Sequence, residues 1–310
     1  MTLPTASAAM ASPVSPTPSV PTTAPRLLAG LREITAGYDG FLIDLWGVTH
    51  NGSAPYAGAL AALQALRQAG KKIAFVSNSS SVAPNVAAQL TAMGITDYDV
   101  LITSGGLVAQ ALQENDPSLW RAGFAGKALL VGDSSILAQY NAPLSLVREP
   151  AVAGLIINAW YGDSIVEVAA WQPEMPHWQR LGLPMLCANP DYDVVLPQGR
   201  LLCPGAFAAA YEAVGGTVHY YGKPYAPAFA AGRAALRLPP TARLAMIGDN
   251  LQTDIRGGRE NGLDTVLILG GVHGAALGSA WGAMPSMEGL TALCQKEGYT
   301  PTYALPTLKY

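Results

Sequence analysis

Short apolar runs alternate with Ala/Leu-rich helical stretches along most of this chain. Gly40-Phe41-Leu42-Ile43 carries no polar side chain and stops at Asp44. Lys72 to Val76, Asp99 to Ile102, Ala128 to Val131, Gly154 to Asn158 and Pro184 to Ala188 have a similar character, as do Thr217 to Tyr221, Leu244 to Ile247 and Thr265 to Leu269. Runs of this length, bounded by Gly, Pro, Asn and Asp, predict strands buried on both faces. Helical spacing lies between them: Arg26 to Ala36, Tyr56 to Ala69 ended by Gly70, Pro84 to Met93 stopped by Gly94, Gly205 to Val214, and Pro227 to Leu236. A helix runs from Thr103-Ser104-Gly105-Gly106 to Leu112, and Ile165 to Arg180 is helical in part, broken by Pro173 and Pro176. Strand–helix alternation of this kind predicts an α/β fold with a parallel, doubly wound sheet. No internal repeat is visible.

The strand ends carry the polar chemistry. Asp44 closes the first buried strand, Ser77-Asn78 the second, Lys223 follows Thr217 to Tyr221, and Asp249 with Asp254 follows Leu244 to Ile247. In parallel α/β sheets that edge is where ligands bind. Carboxylates converging on one edge repel each other unless a cation lies between them. Hard oxygen donors beside a lysine suit magnesium and a phosphate better than zinc. With the phosphoryl charge masked, a carboxylate can attack phosphorus and form an aspartyl-phosphate. A lysine, a serine hydroxyl and backbone amides then stabilise the phosphoryl oxygens.

Composition narrows the class. The chain has 310 residues, half of them hydrophobic and 13% charged, enough for a sizeable core and about two domains. Its net charge of −3 comes with no basic run, which argues against a nucleic-acid partner. No apolar run is long enough to span a bilayer. Cys187, Cys203 and Cys294 are odd in number and lack CxxC spacing, as expected of buried thiols in the cytoplasm. Residues 1–25 are uncharged and rich in Ala, Ser, Thr and Pro, and are expected to form a disordered tail.

Asp44-Leu45-Trp46-Gly47-Val48, Ser77-Asn78, Gly222-Lys223-Pro224 and Gly248-Asp249-Asn250-Leu251-Gln252-Thr253-Asp254 resemble the four ordered motifs of the haloacid dehalogenase (HAD) superfamily. The nearest likeness is to subfamily IIA, the NagD-like and p-nitrophenylphosphatase-like hydrolases. Asn189-Pro190-Asp191 and Cys203-Pro204-Gly205 resemble that subfamily's cap and its return to the core. The resemblance spans roughly Tyr38 to Gly274. It implies a Rossmann-like core over 26–108 and 203–310, with an α/β cap domain inserted at 109–202.

The resemblance also implies roles. Asp44 is the expected nucleophile and a magnesium ligand, and Trp46 lends its backbone carbonyl to the metal. Asp249 and Asp254 complete the metal site. Ser77 binds the phosphoryl group, with Gly47 and Asn78 beside it, and Lys223 stabilises charge. Asn189 and Asp191 face the substrate from the cap. The implied reaction is magnesium-dependent hydrolysis of a small phosphorylated metabolite, without nucleic acid or membrane as partner; a homodimer is compatible with it.

One position departs from the family pattern. Most HAD phosphatases carry a second Asp two residues after the nucleophile, which protonates the leaving group and later activates water. Here that residue is Trp46. Losing a general acid/base typically costs about 10²–10⁴ in rate. His50 is a candidate substitute, against the plainer alternative that it bonds backbone in the turn. Trp46 also keeps two other functions open: a phosphate-ester binding or regulatory protein that turns over poorly, and a phosphotransferase. His177, His219 and His273 are expected in packing or turn roles, and Thr103-Ser104 near a hinge.

Overall fold

The computed structural model describes residues 24–132, 134–159, 171–196, 199–278 and 281–310. Most of the expected N-terminal tail, and the start of the stretch from Ile165, lie outside these residues. Two compact units organise the chain. The first takes in the chain up to Phe75, Asp97–Val100 and Ala230–Tyr310; the second takes in Val76–Thr96 and Leu101–Phe229.

A seven-stranded sheet, drawn mostly from the first unit, has the strands β1 (Arg26–Leu27), β2 (Gly40–Ile43), β3 (Lys72–Ser77), β4 (Val100–Thr103), β12 (Leu244–Gly248), β13 (Asp264–Ile268) and β14 (Tyr303–Leu305). Their order is β1-β14-β13-β12-β2-β3-β4. β12 pairs in parallel with β2 on one side and with β13 on the other, and β2 pairs in parallel with β3. β2 and β12 are buried at every residue, the price of a central position between parallel neighbours and the reason their sequences do not alternate.

The edge differs from the sequence expectation. Arg26 to Ala36 reads as one helix, yet only Arg32–Thr35 is helical. Arg26 and Leu27 instead pair in parallel with Tyr303 and Ala304. The apolar spacing is still used, since Leu28, Leu31 and Ile34 are all buried. Beyond Thr265 to Leu269 the chain forms a further strand, β14, which pairs with β13 and was not expected from sequence. Strands this short carry too little pattern to be seen in sequence.

The second unit contains a separate sheet of five strands: β5 (Lys127–Gly132), β6 (Ser145–Leu146), β7 (Leu155–Ala159), β8 (Met185–Cys187) and β11 (Val218–Tyr220). Their order is β11-β8-β7-β5-β6, with every described pair parallel. Successive side chains of β7 enter opposite layers, as the strand period requires. Leu155 and Ile157 pack with Val108, Leu112, Ile136 and Tyr140, while Ile156 packs with Met175, Trp178, Phe207 and Tyr211. This sheet is therefore also wound on both faces. β9 (Asp193–Leu196) and β10 (Gly199–Leu202) form an antiparallel ribbon.

The units do not divide at the expected 109 and 202. β11, expected in the core, pairs with β8, and the helix Pro204–Ala213 packs Phe207 and Tyr211 into the second unit's interior. Pairing register decides this, and sequence order does not carry it. Phe207 is fully buried, with its ring 6.2 Å from that of Trp178. Phe207→Ala should destabilise the second unit by about 3–5 kcal/mol, read as a lower denaturation midpoint in urea.

Candidate active site

Asp44 begins where β2 stops. Its N–H donates to the Ile247 carbonyl at 2.8 Å, extending the ladder by one residue and holding the carboxylate at the C-terminal edge. Asp249 follows β12 directly. Asp254 lies on the π-helical turn Leu251–Ile255, whose Asn250 cap accepts the Gln252 N–H. One carboxylate oxygen from each of Asp44, Asp249 and Asp254 lies within 4.8 Å of the others. All three are buried. At that spacing each ionised pair repels by about 3–4 kcal/mol at an effective dielectric near 20.

Backbone donors offset part of this repulsion. Val272 N–H donates to Asp249 Oδ2 at 2.7 Å, and Asn250 N–H donates to Asp254 Oδ2 at 3.1 Å. Glycines let the chain approach Asp249 from two sides. Gly47 has φ +71°, and a Cβ on it would overlap Asp249 Oδ2; a Cβ on Gly271 would overlap the same oxygen. A donor set of three carboxylates fits a hard divalent cation such as magnesium. The contributions of Gly271 and Val272 were not anticipated from sequence.

The loop after Asp44 turns its polar groups inward. The Thr49 hydroxyl donates to the Leu45 carbonyl at 2.8 Å, and Gly47 N–H donates to the His50 carbonyl at 3.1 Å. His50 is buried, and its Nδ1 accepts the Gly52 N–H at 2.9 Å. Burial lowers its pKa to about 4. The structure gives His50 the turn contact considered for it: its Nδ1 accepts a backbone N–H, and burial favours the neutral ring. From Asp44 to His50 only Trp46 is exposed. Its ring meets His50 edge-on at 5.4 Å and lies over Gly52. Trp281, which lies against Gly270, stacks on Tyr56 at 3.8 Å. Burial first, then the charge of Asp249, raises the Tyr56 pKa.

The second unit gathers another polar cluster. Asn78 Oδ1 accepts the Lys223 N–H at 2.7 Å, while its Nδ2 donates to the Lys223 carbonyl at 3.0 Å and to Asp191 Oδ1 at 2.8 Å. The Asn78 side chain therefore grips the backbone of Lys223. Asn189 Oδ1 accepts the Asp191 N–H at 2.9 Å, an Asx turn that uses the side chain expected to face substrate. Ser77 ends β3, and its Oγ accepts the Ser79 N–H at 3.2 Å. Lys223 is 2% exposed, so its ammonium is held away from bulk water. Among the other histidines, His273 Nε2 accepts the Leu251 N–H at 3.1 Å, and His177 is exposed.

Fold and triad together define an α/β core with a cluster of three carboxylates at the ends of its central strands. A family model described as haloacid dehalogenase-like hydrolase matches residues 41–142, and a HAD-hydrolase-like model matches residues 220–308. Chronophin of Rattus norvegicus is 32% identical over 251 residues, which are 79% of this chain and 80% of that protein. D-glycerol 3-phosphate phosphatase of Mycobacterium tuberculosis is 30% identical over 265 residues, 82% of this chain and 68% of that protein. The crystal structure of glycerol phosphate phosphatase from Mycobacterium tuberculosis in complex with magnesium superposes with a TM-score of 0.60 at 24% identity, over 83% of this chain and 77% of that one. This chain belongs to the haloacid dehalogenase-like hydrolase family, as the resemblance of its motifs to subfamily IIA implies.

The His50 environment generates a pH prediction. Its folded pKa lies below the unfolded value of 6.5, so the unfolded chain binds the extra proton between the two. Stability present above pH 6.5 should fall by about 3 kcal/mol as the pH drops to 4. His50→Asn, which keeps an acceptor for Gly52, should flatten this acid limb in urea titrations from pH 4 to 7.

Proposed function

We propose that this protein is a magnesium-dependent phosphatase acting on a small phosphomonoester. The observation that carries the reading is the buried triad of Asp44, Asp249 and Asp254, with Asp44 at the end of a central strand. Relatives that are themselves phosphatases support the same class. Asp44, Asp249 and Asp254 would hold the cation, together with the Trp46 backbone carbonyl. When bound, the cation supplies charge neutralisation at the phosphoryl oxygens.

The residues then divide the work. Asp44 attacks phosphorus in line with the leaving oxygen, giving an aspartyl-phosphate that water later hydrolyses. The Ser77 hydroxyl would donate a hydrogen bond to a phosphoryl oxygen, and Lys223 would stabilise the negative charge. Asn78 sets the Lys223 backbone, and Asp191 in turn orients the Asn78 amide. One observation favours a second reading, a slow phosphate-ester binding protein: the exposed side chain two residues after Asp44 is a tryptophan, which transfers no proton.

The deciding experiment is an assay on p-nitrophenyl phosphate with magnesium and with EDTA, using Asp44→Asn as control. Magnesium-dependent turnover that is lost in Asp44→Asn is the expected result. Ester binding with no turnover above that variant would favour the binding protein. Asn78→Ala should lower kcat/KM by about 10–100-fold, the range typical of a group that orients an active-site residue.

A further inference from the structure

Breaking a phosphate ester leaves an oxygen that must carry away an electron pair. An alkoxide does this poorly unless it is protonated as the bond breaks, whereas a phenolate is stable enough to leave bare. The question is what can protonate it beside Asp44. The exposed position of that loop is Trp46, an apolar ring with no acidic proton. Its polar neighbours are turned to backbone. The Thr49 hydroxyl donates to the Leu45 carbonyl, His50 Nδ1 accepts the Gly52 N–H, and Asn51 Oδ1 accepts from both Ser53 and Ala54. Trp281 lies against Gly270 and stacks on Tyr56, and His273 Nε2 accepts from Leu251. Among the described residues of the first unit these side chains are aromatic or bonded to backbone, and Tyr56 carries the hydroxyl that could compete as a donor.

We propose that Trp46 is a specificity-determining residue that confines this site to phosphate esters of acidic hydroxyls, phenols above all. The inference rests on the phosphatase reading and names its substrate class. In the first step an Asp44 oxygen bonds to phosphorus and the phosphorus–phenol oxygen bond breaks. The electron pair leaves with the phenolate, which takes its proton from water afterwards. In the second step a water oxygen bonds to phosphorus, the Asp44 oxygen–phosphorus bond breaks, and the water proton passes to phosphate or solvent. Trp46 provides no base for that water, so the second step is slow and common to all substrates. Two signatures follow. kcat/KM, set by the first step, rises steeply with the acidity of the leaving phenol. kcat levels off at one ceiling across the good substrates, preceded by a burst of phenol.

The test uses the full chain with magnesium, a series of ring-substituted phenyl phosphates, and benzyl phosphate. Benzyl phosphate keeps an aromatic ring but must expel an alkoxide, so it separates leaving-group chemistry from ring stacking. The expected result is a steep dependence of kcat/KM on phenol acidity, with benzyl phosphate cleaved about 10²-fold or more below phenyl phosphate. Trp46→Asp should narrow that phenyl-to-benzyl ratio by at least about tenfold, and Trp46→Phe should keep it. A shallow dependence in the native protein overturns the proposal without any variant. So does a shallow dependence that Tyr56→Phe makes steep, which would identify Tyr56 as the donor, or a ratio unchanged in folded Trp46→Asp. Absence of turnover on every ester, with Asp44→Asn no different, would instead defeat the phosphatase reading itself.

Discussion

Three carboxylates buried within 4.8 Å of one another are the constraint on which the first unit is built. Left to themselves, they would separate or take up protons. The parallel pairing of β2 with β12 prevents separation, because Ile43 lies opposite Ile247 and the next residues of both strands emerge together. The Asp44 N–H to Ile247 hydrogen bond continues that register. Gly47 and Gly271 then close on Asp249, where any side chain would collide with the carboxylate. What remains is a cluster of hard oxygens, which a divalent cation would complete. Strand pairing thus creates the repulsion and also restricts what can relieve it.

The second unit solves a different problem, that of a lysine kept from water. Lys223 follows β11, and β11 is held by β8 rather than by the strands of the first sheet. Its backbone is gripped on both sides of the peptide by one amide, that of Asn78. Asp191 receives the remaining Asn78 hydrogen, and its own position is set by the Asn189 Asx turn. Three segments far apart in sequence therefore share one hydrogen-bond network. A buried network of this sort is useful only when complete, since each missing partner would leave a desolvated polar group. That is the physical reason for reading Asn78 and Asn189 as structural supports of Lys223 and Asp191.

Much of the fold was legible because parallel strands buried on both faces leave continuous apolar runs, and β2, β3, β7, β12 and β13 all appear as such runs. The triad was legible because each carboxylate follows or lies near one of them. β1, β6, β9, β10 and β14 were not, being short or at edges where little apolar pattern is required. His50 illustrates a limit of another kind. A histidine beside a nucleophile suggests proton transfer from sequence, yet its Nδ1 accepts a backbone N–H and burial favours the neutral ring. Residue type specified the chemistry available, and the loop's hydrogen bonds selected among the options.

The sequence by itself determined the α/β class, the two doubly wound sheets' principal strands, and the identity of Asp44, Asp249 and Asp254 as groups needing a counter-charge. These properties follow from hydrophobic period and from charge at strand ends, both local and additive along the chain. The tertiary structure alone decided that β11 joins the second sheet, that Asn78 holds Lys223, that Gly271 and Val272 enclose Asp249, and that Trp46 is the exposed side chain beside Asp44. Each of these depends on which strand pairs with which, or on which way a turn directs its polar atoms. Register and side-chain direction are set by long-range pairing and packing, and no local stretch of sequence contains them.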